Sequence, residues 1–170
     1  MTESYDGPQI VGMDLHRRRS VLVRMTEDGR RLATARITNS APELRREIAR
    51  AGRHPKVVVE ATYGWYWAAD TLAAAGAEVH LAHPLGVRAF TYRRVKNDEL
   101  DARDLADLLR MGKLAEAWIA PPEVRELREL TRYRILCRCR HRIRYAEVRI
   151  MPSPGRMAWV PAVGGVQTSA

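Results

Sequence analysis

The sequence predicts an α/β fold, a mixed five-stranded sheet flanked by helices, with an irregular basic C-terminal tail. Three observations carry this expectation. Three strand-like runs open the chain, two helix–strand alternations and a further helix follow, and the periodic pattern fades after about residue 133 into a stretch dense in arginine, proline and glycine.

The elements follow in order. "QIVGMDL" is a short apolar run that places Asp14 near a strand exit. "SVLVRMTEDGRRLATARI" reads as two more strands joined at "EDGR", where Gly29 supplies a permissive backbone. "APELRREIARAG" offers Pro42 in a first helical turn, Leu44 and Ile48 on one face, and Gly52 as a stop. "KVVVEAT" is a continuous β-branched run of the kind buried on both faces, and it ends in Glu60. "YGWYWAADTLAAAG" returns to helical spacing, and "AEVHLAHP" makes a fifth strand closed by Pro84. The helix "DELDARDLADLLR" comes next, behind a basic link containing "TYRRVK". Three sequential strands, antiparallel by expectation, then αβ units: this is the order of the ribonuclease-H-like fold.

Composition narrows the class. Apolar residues make up 46% of the 170 and charged residues 29%, which suits a soluble globular domain. No run approaches the ~20 apolar residues of a membrane span, and the N-terminus has no secretory pattern, so a cytoplasmic location without membrane contact is expected. The net charge of +9 suggests a polyanionic partner, and residues 123–170 supply +6 of it. Cys137 and Cys139 lack the further ligands of a zinc site, and a disulfide between them would be strained, so both are expected to be reduced.

The acids carry the chemistry. In open α/β sheets ligands gather outside the carboxyl ends of the strands, where Asp14 and Glu60 are expected on neighbouring strands. In the helix 98–110, Asp101 stacks against Leu105 and Leu108, and Asp104 against Leu108, so both are expected to reach the same edge. Asp98 and Glu99 read as acids of a first helical turn, Asp98 as an N-cap, and Asp107 as solvated. Four carboxylates at one edge do not all stay ionised without cations, which makes a divalent metal the economical partner.

The segments "VGMDLHRRRS", "VVVEATYGWYW", "HLAHPLGVRAF", "RRVKNDELDARDLADLLR" and "WIAPPEVRELREL" resemble, in order and spacing, the N-terminal RuvC-like domain of DEDD transposases. These belong to bacterial insertion sequences related to Piv-type DNA invertases. The resemblance covers roughly residues 9–133 and puts the family's four acids on Asp14, Glu60, Asp101 and Asp104. It implies that these residues hold Mg²⁺ or Mn²⁺ for DNA strand cleavage and transposition. It further implies DNA as partner, a structured guide RNA in some members, and a homo-oligomer for full-length members.

Full-length relatives continue into a domain carrying a serine nucleophile, whereas "RILCRCRHRIRYAEVRIMPSPGRMAWVPAVGGVQTSA" does not resemble that continuation. The expected division is therefore a catalytic domain over 8–133 and a tail over 134–170 that is irregular, disordered or frame-shifted, the whole being a truncated, non-autonomous copy. A stand-alone Mg²⁺-dependent nuclease or Holliday-junction resolvase, and a non-catalytic nucleic-acid-binding fragment, are the alternative readings. Arg93, Arg94 and Lys96 are the candidates for phosphate contact. Trp65, Tyr66 and Trp67 are expected to cover the core rather than stack on bases. His80 and His83 should point to opposite faces of their strand, and His16 is expected beside the site or on the surface.

Overall fold

The computed structural model describes residues 5–89 and 97–138. Five strands, β1 (Gln9–Leu15), β2 (Arg19–Thr26), β3 (Arg31–Thr38), β4 (Lys56–Glu60) and β5 (Glu78–Ala82), form one sheet in the order β3-β2-β1-β4-β5. β1, β2 and β3 pair antiparallel, while β1–β4 and β4–β5 pair parallel. This is the mixed sheet expected from the sequence, in the ribonuclease-H-like arrangement.

The helices are α1 (Ala41–Ala49), α2 (Trp65–Ala74), α3 (Pro84–Arg88), α4 (Asp98–Arg110) and α5 (Pro122–Arg138). Strand alternation sorts the core into two layers. Val11, Met13 and Leu15 of β1, with Val57 and Val59 of β4, pack on Leu44 and Ile48 of α1 and on Ala68 and Leu72 of α2. The opposite face carries α4: Ala102 and Ala106 meet Ile10, Val21, Val23 and Met25, and Leu105 and Leu108 meet Val58, Ala82 and Val87. β4 is thus buried on both sides, as its unbroken run of valines requires.

Local chemistry fixes the ends. Ser40 caps α1 by accepting from the backbone N–H of Glu43, and the Glu43 carboxylate accepts from the N–H of Thr38. The β2–β3 turn closes with Gly29 at φ +90°, a left-handed backbone that glycine adopts without steric cost. α5 docks through Arg125, which is buried, donates two hydrogen bonds to Asp70 of α2 at 2.9 and 3.0 Å, and stacks 5.0 Å from the Tyr66 ring centre.

Two local expectations differ from the structure. α5 does not stop near Tyr133 but continues to Arg138, because "RILCR" contains good helix formers and no breaker. Asn97, not Asp98, caps α4: its side chain accepts from the N–H of Glu99 at 3.0 Å. The rest of the basic tail lies outside the described residues, as do Arg93, Arg94 and Lys96.

Candidate metal centre

Sheet register sets the first two acids side by side. The last registered β1–β4 pair is Met13 with Val59, and Asp14 and Glu60 are the next residue on each parallel strand. Alternation then decides which face they share. Asp14 lies on the same side as Gly12, against which α4 rests, and Glu60 on the side of Val58, which packs on Leu105 and Leu108. Both carboxylates therefore stand on the α4 face at the carboxyl edge of the sheet. Together with Leu15, His16, Arg17, Thr62 and Tyr63 they line an open cavity of about 250 Å³.

Asp14 is only 6% exposed, a costly place for a carboxylate unless positive charge meets it. His16 stands beside it: its Nε2 lies 2.9 Å from Asp14 Oδ2 and 3.2 Å from Asp98 Oδ1. One ligand atom from each of Asp14, His16 and Asp98 lies within 4.8 Å of the others. The backbone of His16 is held on both sides. Its N–H donates to the Arg19 carbonyl, and its carbonyl accepts from the Asn39 amide, which Ser20 anchors in turn. Thr62 donates to the Leu15 carbonyl and ties the β4 exit to the β1 exit.

The position of α4 separates the remaining acids. A Cβ added at Gly12 would lie 1.8 Å from the Ala102 carbonyl oxygen and 2.9 Å from the Ala106 nitrogen, so β1 and α4 are in backbone contact there. At about 100° per residue, Asp98 falls about 40° from Ala102 around the helix, Asp101 about 100° and Asp104 about 160°. Asp98 continues the buried stripe of Ala102, Leu105 and Ala106 toward the helix start. Asp101 stands on the edge beside it, and Asp104 is set about 9 Å further along the axis than Asp98. Asp98, Asp101 and Asp104 are all half-buried, and none of the three lines the cavity shared by Asp14 and Glu60. Asp101 and Asp104 lie within about 40° of Leu108, which packs on Val58 of β4, the strand of Glu60.

Sequence reasoning thus missed one member of the cluster, Asp98, and gave the other, His16, only as a residue beside the site or on the surface. For Asp98 a signal was present: positions 98, 102, 105, 106 and 109 make one helical face, with the acid at its head. His16 carries no comparable signal, because its place depends on the turn between β1 and β2. Asp107 is not merely solvated: it ion-pairs with Arg110 at 3.0 Å and Arg103 at 3.6 Å. Trp65 and Trp67 pack against the core as expected. His80 contacts Glu78 and Glu116, each at 3.1 Å, away from this centre.

No helix among the described residues is long and apolar enough to cross a membrane. No curated protein matches the chain. Among solved structures it is similar to Thermus thermophilus RuvC, with 17% identity and a TM-score of 0.48 over 64% of this chain and 99% of that one. It is similar also to T. thermophilus RuvC in complex with a Holliday junction substrate, with 15% identity and a TM-score of 0.46 over 65% of this chain and 100% of that one. Ethanolamine utilization protein EutJ from Carboxydothermus hydrogenoformans shares 18% identity at a TM-score of 0.38, over 54% of this chain and 43% of that one. The model of the IS110 DEDD transposases, described as "Transposase", matches residues 11–142. That match takes in β1 from Val11 onward, the other four strands, all five helices and the acids at the sheet edge, and the chain therefore belongs to the IS110 DEDD transposase family.

Proposed function

We propose that this domain is the metal-dependent strand-cleaving unit of a transposase acting on DNA, with Asp14, Glu60, Asp101 and Asp104, joined by Asp98 at the head of α4, as the residues that hold Mg²⁺ or Mn²⁺. The observation that carries the reading is the meeting of Asp14 with Glu60 in one cavity and with the head of α4 through His16 and Asp98. The donor set fits such an ion. Carboxylate oxygens are the ligands of hard divalent cations, and the strand ends and the head of α4 bring several of them to one edge. Asp98 meets Asp14 through His16, and Asp101 and Asp104 flank Leu108 on the side of α4 that packs against β4, the strand of Glu60.

When bound, the cation supplies Lewis-acid polarisation of a scissile phosphate and neutralises charge on the attacking and leaving oxygens. The chain's own residues do the rest. Arg17, on the cavity wall, offers a guanidinium to a non-bridging phosphate oxygen. The open cavity admits an extended backbone, and the Thr62–Leu15 bond fixes the spacing of the two strand exits. Loss of the carboxylate charge at Asp14 or Glu60 removes the attraction that concentrates cations at this edge.

Calorimetric titration of Mg²⁺ and Mn²⁺ into the full chain tests the assignment. Asp14→Asn, Asp98→Asn and Asp104→Asn should each weaken binding about tenfold or more, and Asp107→Asn by less than about twofold. Cleavage of DNA carrying element ends should follow the same order. Loss on Asp104→Asn with retention on Asp98→Asn would reduce the set to Asp14, Glu60, Asp101 and Asp104, and the reverse result would remove Asp104 from it.

A further inference from the structure

We propose that His16 is a nitrogen ligand of this centre and that it biases the site toward Mn²⁺ over Mg²⁺. The inference rests on the reading of Asp14 and Asp98 as metal ligands and adds a donor to it.

The distances suit ligands around a shared ion. Metal–ligand distances of roughly 2.1 Å place adjacent atoms of an octahedron about 3.0 Å apart and opposite atoms about 4.2 Å apart. His16 Nε2 stands 2.9 Å from Asp14 Oδ2 and 3.2 Å from Asp98 Oδ1. The three donor atoms together stay within 4.8 Å.

Direction separates ligation from simple pairing. The Nε2 atom of His16 is buried, yet it has no hydrogen-bond partner among the described residues. Both carboxylate contacts are therefore close without having the angle of a hydrogen bond. An imidazole whose role was to donate to Asp14 would turn its N–H along that line. Instead, Nε2 lies close to an oxygen of each carboxylate and is hydrogen-bonded to neither. The backbone that carries the ring is also held, by hydrogen bonds with Arg19 and Asn39 on either side of its Cα. Such support is what a metal site requires from its surroundings.

The chemical consequence is selectivity. Mg²⁺ takes oxygen ligands and water, whereas imidazole nitrogen suits transition metals. A site of carboxylates alone discriminates weakly between Mg²⁺ and Mn²⁺; one imidazole shifts the balance toward Mn²⁺.

Pulsed electron paramagnetic resonance of Mn²⁺ bound to the full chain reads the ligand directly. The expected result is a ¹⁴N modulation in the wild type that vanishes in His16→Ala and in His16→Gln. In the same variants Mn²⁺ affinity should fall about tenfold while Mg²⁺ affinity changes by less than about twofold. Two variants are used so that one folded protein, checked by thermal melting, suffices for the comparison. Mn²⁺ bound without nitrogen modulation, yet lost on Asp14→Asn, would overturn the role of His16 and leave the carboxylate centre standing. Nitrogen modulation that persists in both His16 variants would likewise overturn it. No Mn²⁺ binding by the wild type would overturn both readings.

Discussion

The two faces of β1 carry opposite kinds of side chain. Val11, Met13 and Leu15 on one face are all apolar and buried, and they join a single cluster with α1 and α2. Ile10, Gly12 and Asp14 on the other go from a large side chain, to none, to a carboxylate, all within seven residues. The first face does one thing along its whole length: it keeps apolar area from water. The second is graded. Ile10 packs under α4, Gly12 lets the helix backbone touch the strand, and Asp14 lies where the helix start brings Asp98 to His16. One strand thus separates stability from chemistry by parity alone.

The largest expected effect comes from breaking the graded face at its middle. Gly12→Ala adds only one methyl, but that methyl would stand 1.8 Å from a backbone oxygen, which no rotamer change relieves. α4 must lift, and the cost should reach about 3 kcal/mol or more in urea denaturation. Because Asp98 and Asp101 move with the helix, metal affinity should fall together with stability. Near-wild-type behaviour in both measurements would mean that α4 does not rest on β1.

Met13→Ala tests the opposite face and should cost somewhat less. Met13 is fully buried between the sheet and α1 and α2, so truncation leaves a cavity worth about 2–3 kcal/mol. Metal affinity of the folded fraction should stay at the wild-type value, since Asp14 points the other way. A parallel loss of metal affinity would show that the two faces are not independent.

The contrast also explains what the sequence discloses. Strand order and helix faces were readable because burial imposes a period of two or 3.6 on apolar residues, as in Leu44 and Ile48 or in the valines of β4. Asp14 and Glu60 were readable because they end apolar runs whose adjacency follows from topology. The assignment on α4 was harder. Asn97 and Asp98 are equally good caps by residue type, and only the structure shows that Asn97 takes the role and leaves Asp98 against His16. His16 depends on a three-dimensional turn held by Arg19 and Asn39, 3 and 23 positions away in the chain. No local pattern encodes that.

The smallest effect belongs to Asp107→Asn, which sharpens the distinction between an acid in the centre and an acid near it. Asp107 lies on the same helix as Asp98 and Asp101, but nine residues from Asp98 it has turned about 180° around the axis. Its partners are Arg103 and Arg110 of its own helix, and the Arg110 guanidinium lies over the β2–β3 turn at Gly29. Partly exposed pairs of this kind contribute little, because water and salt screen them and ordering two long side chains opposes them. Asparagine keeps one oxygen to accept from Arg110, so stability should change by less than about 0.5 kcal/mol. Metal affinity should match the wild type, in contrast to the loss expected for Asp98→Asn. A larger drop in stability with metal affinity intact would assign Asp107 to holding Arg110 against the turn. A drop in metal affinity would show that charge anywhere on α4 attracts the cation, and the case for Asp98 would then rest on direction no longer.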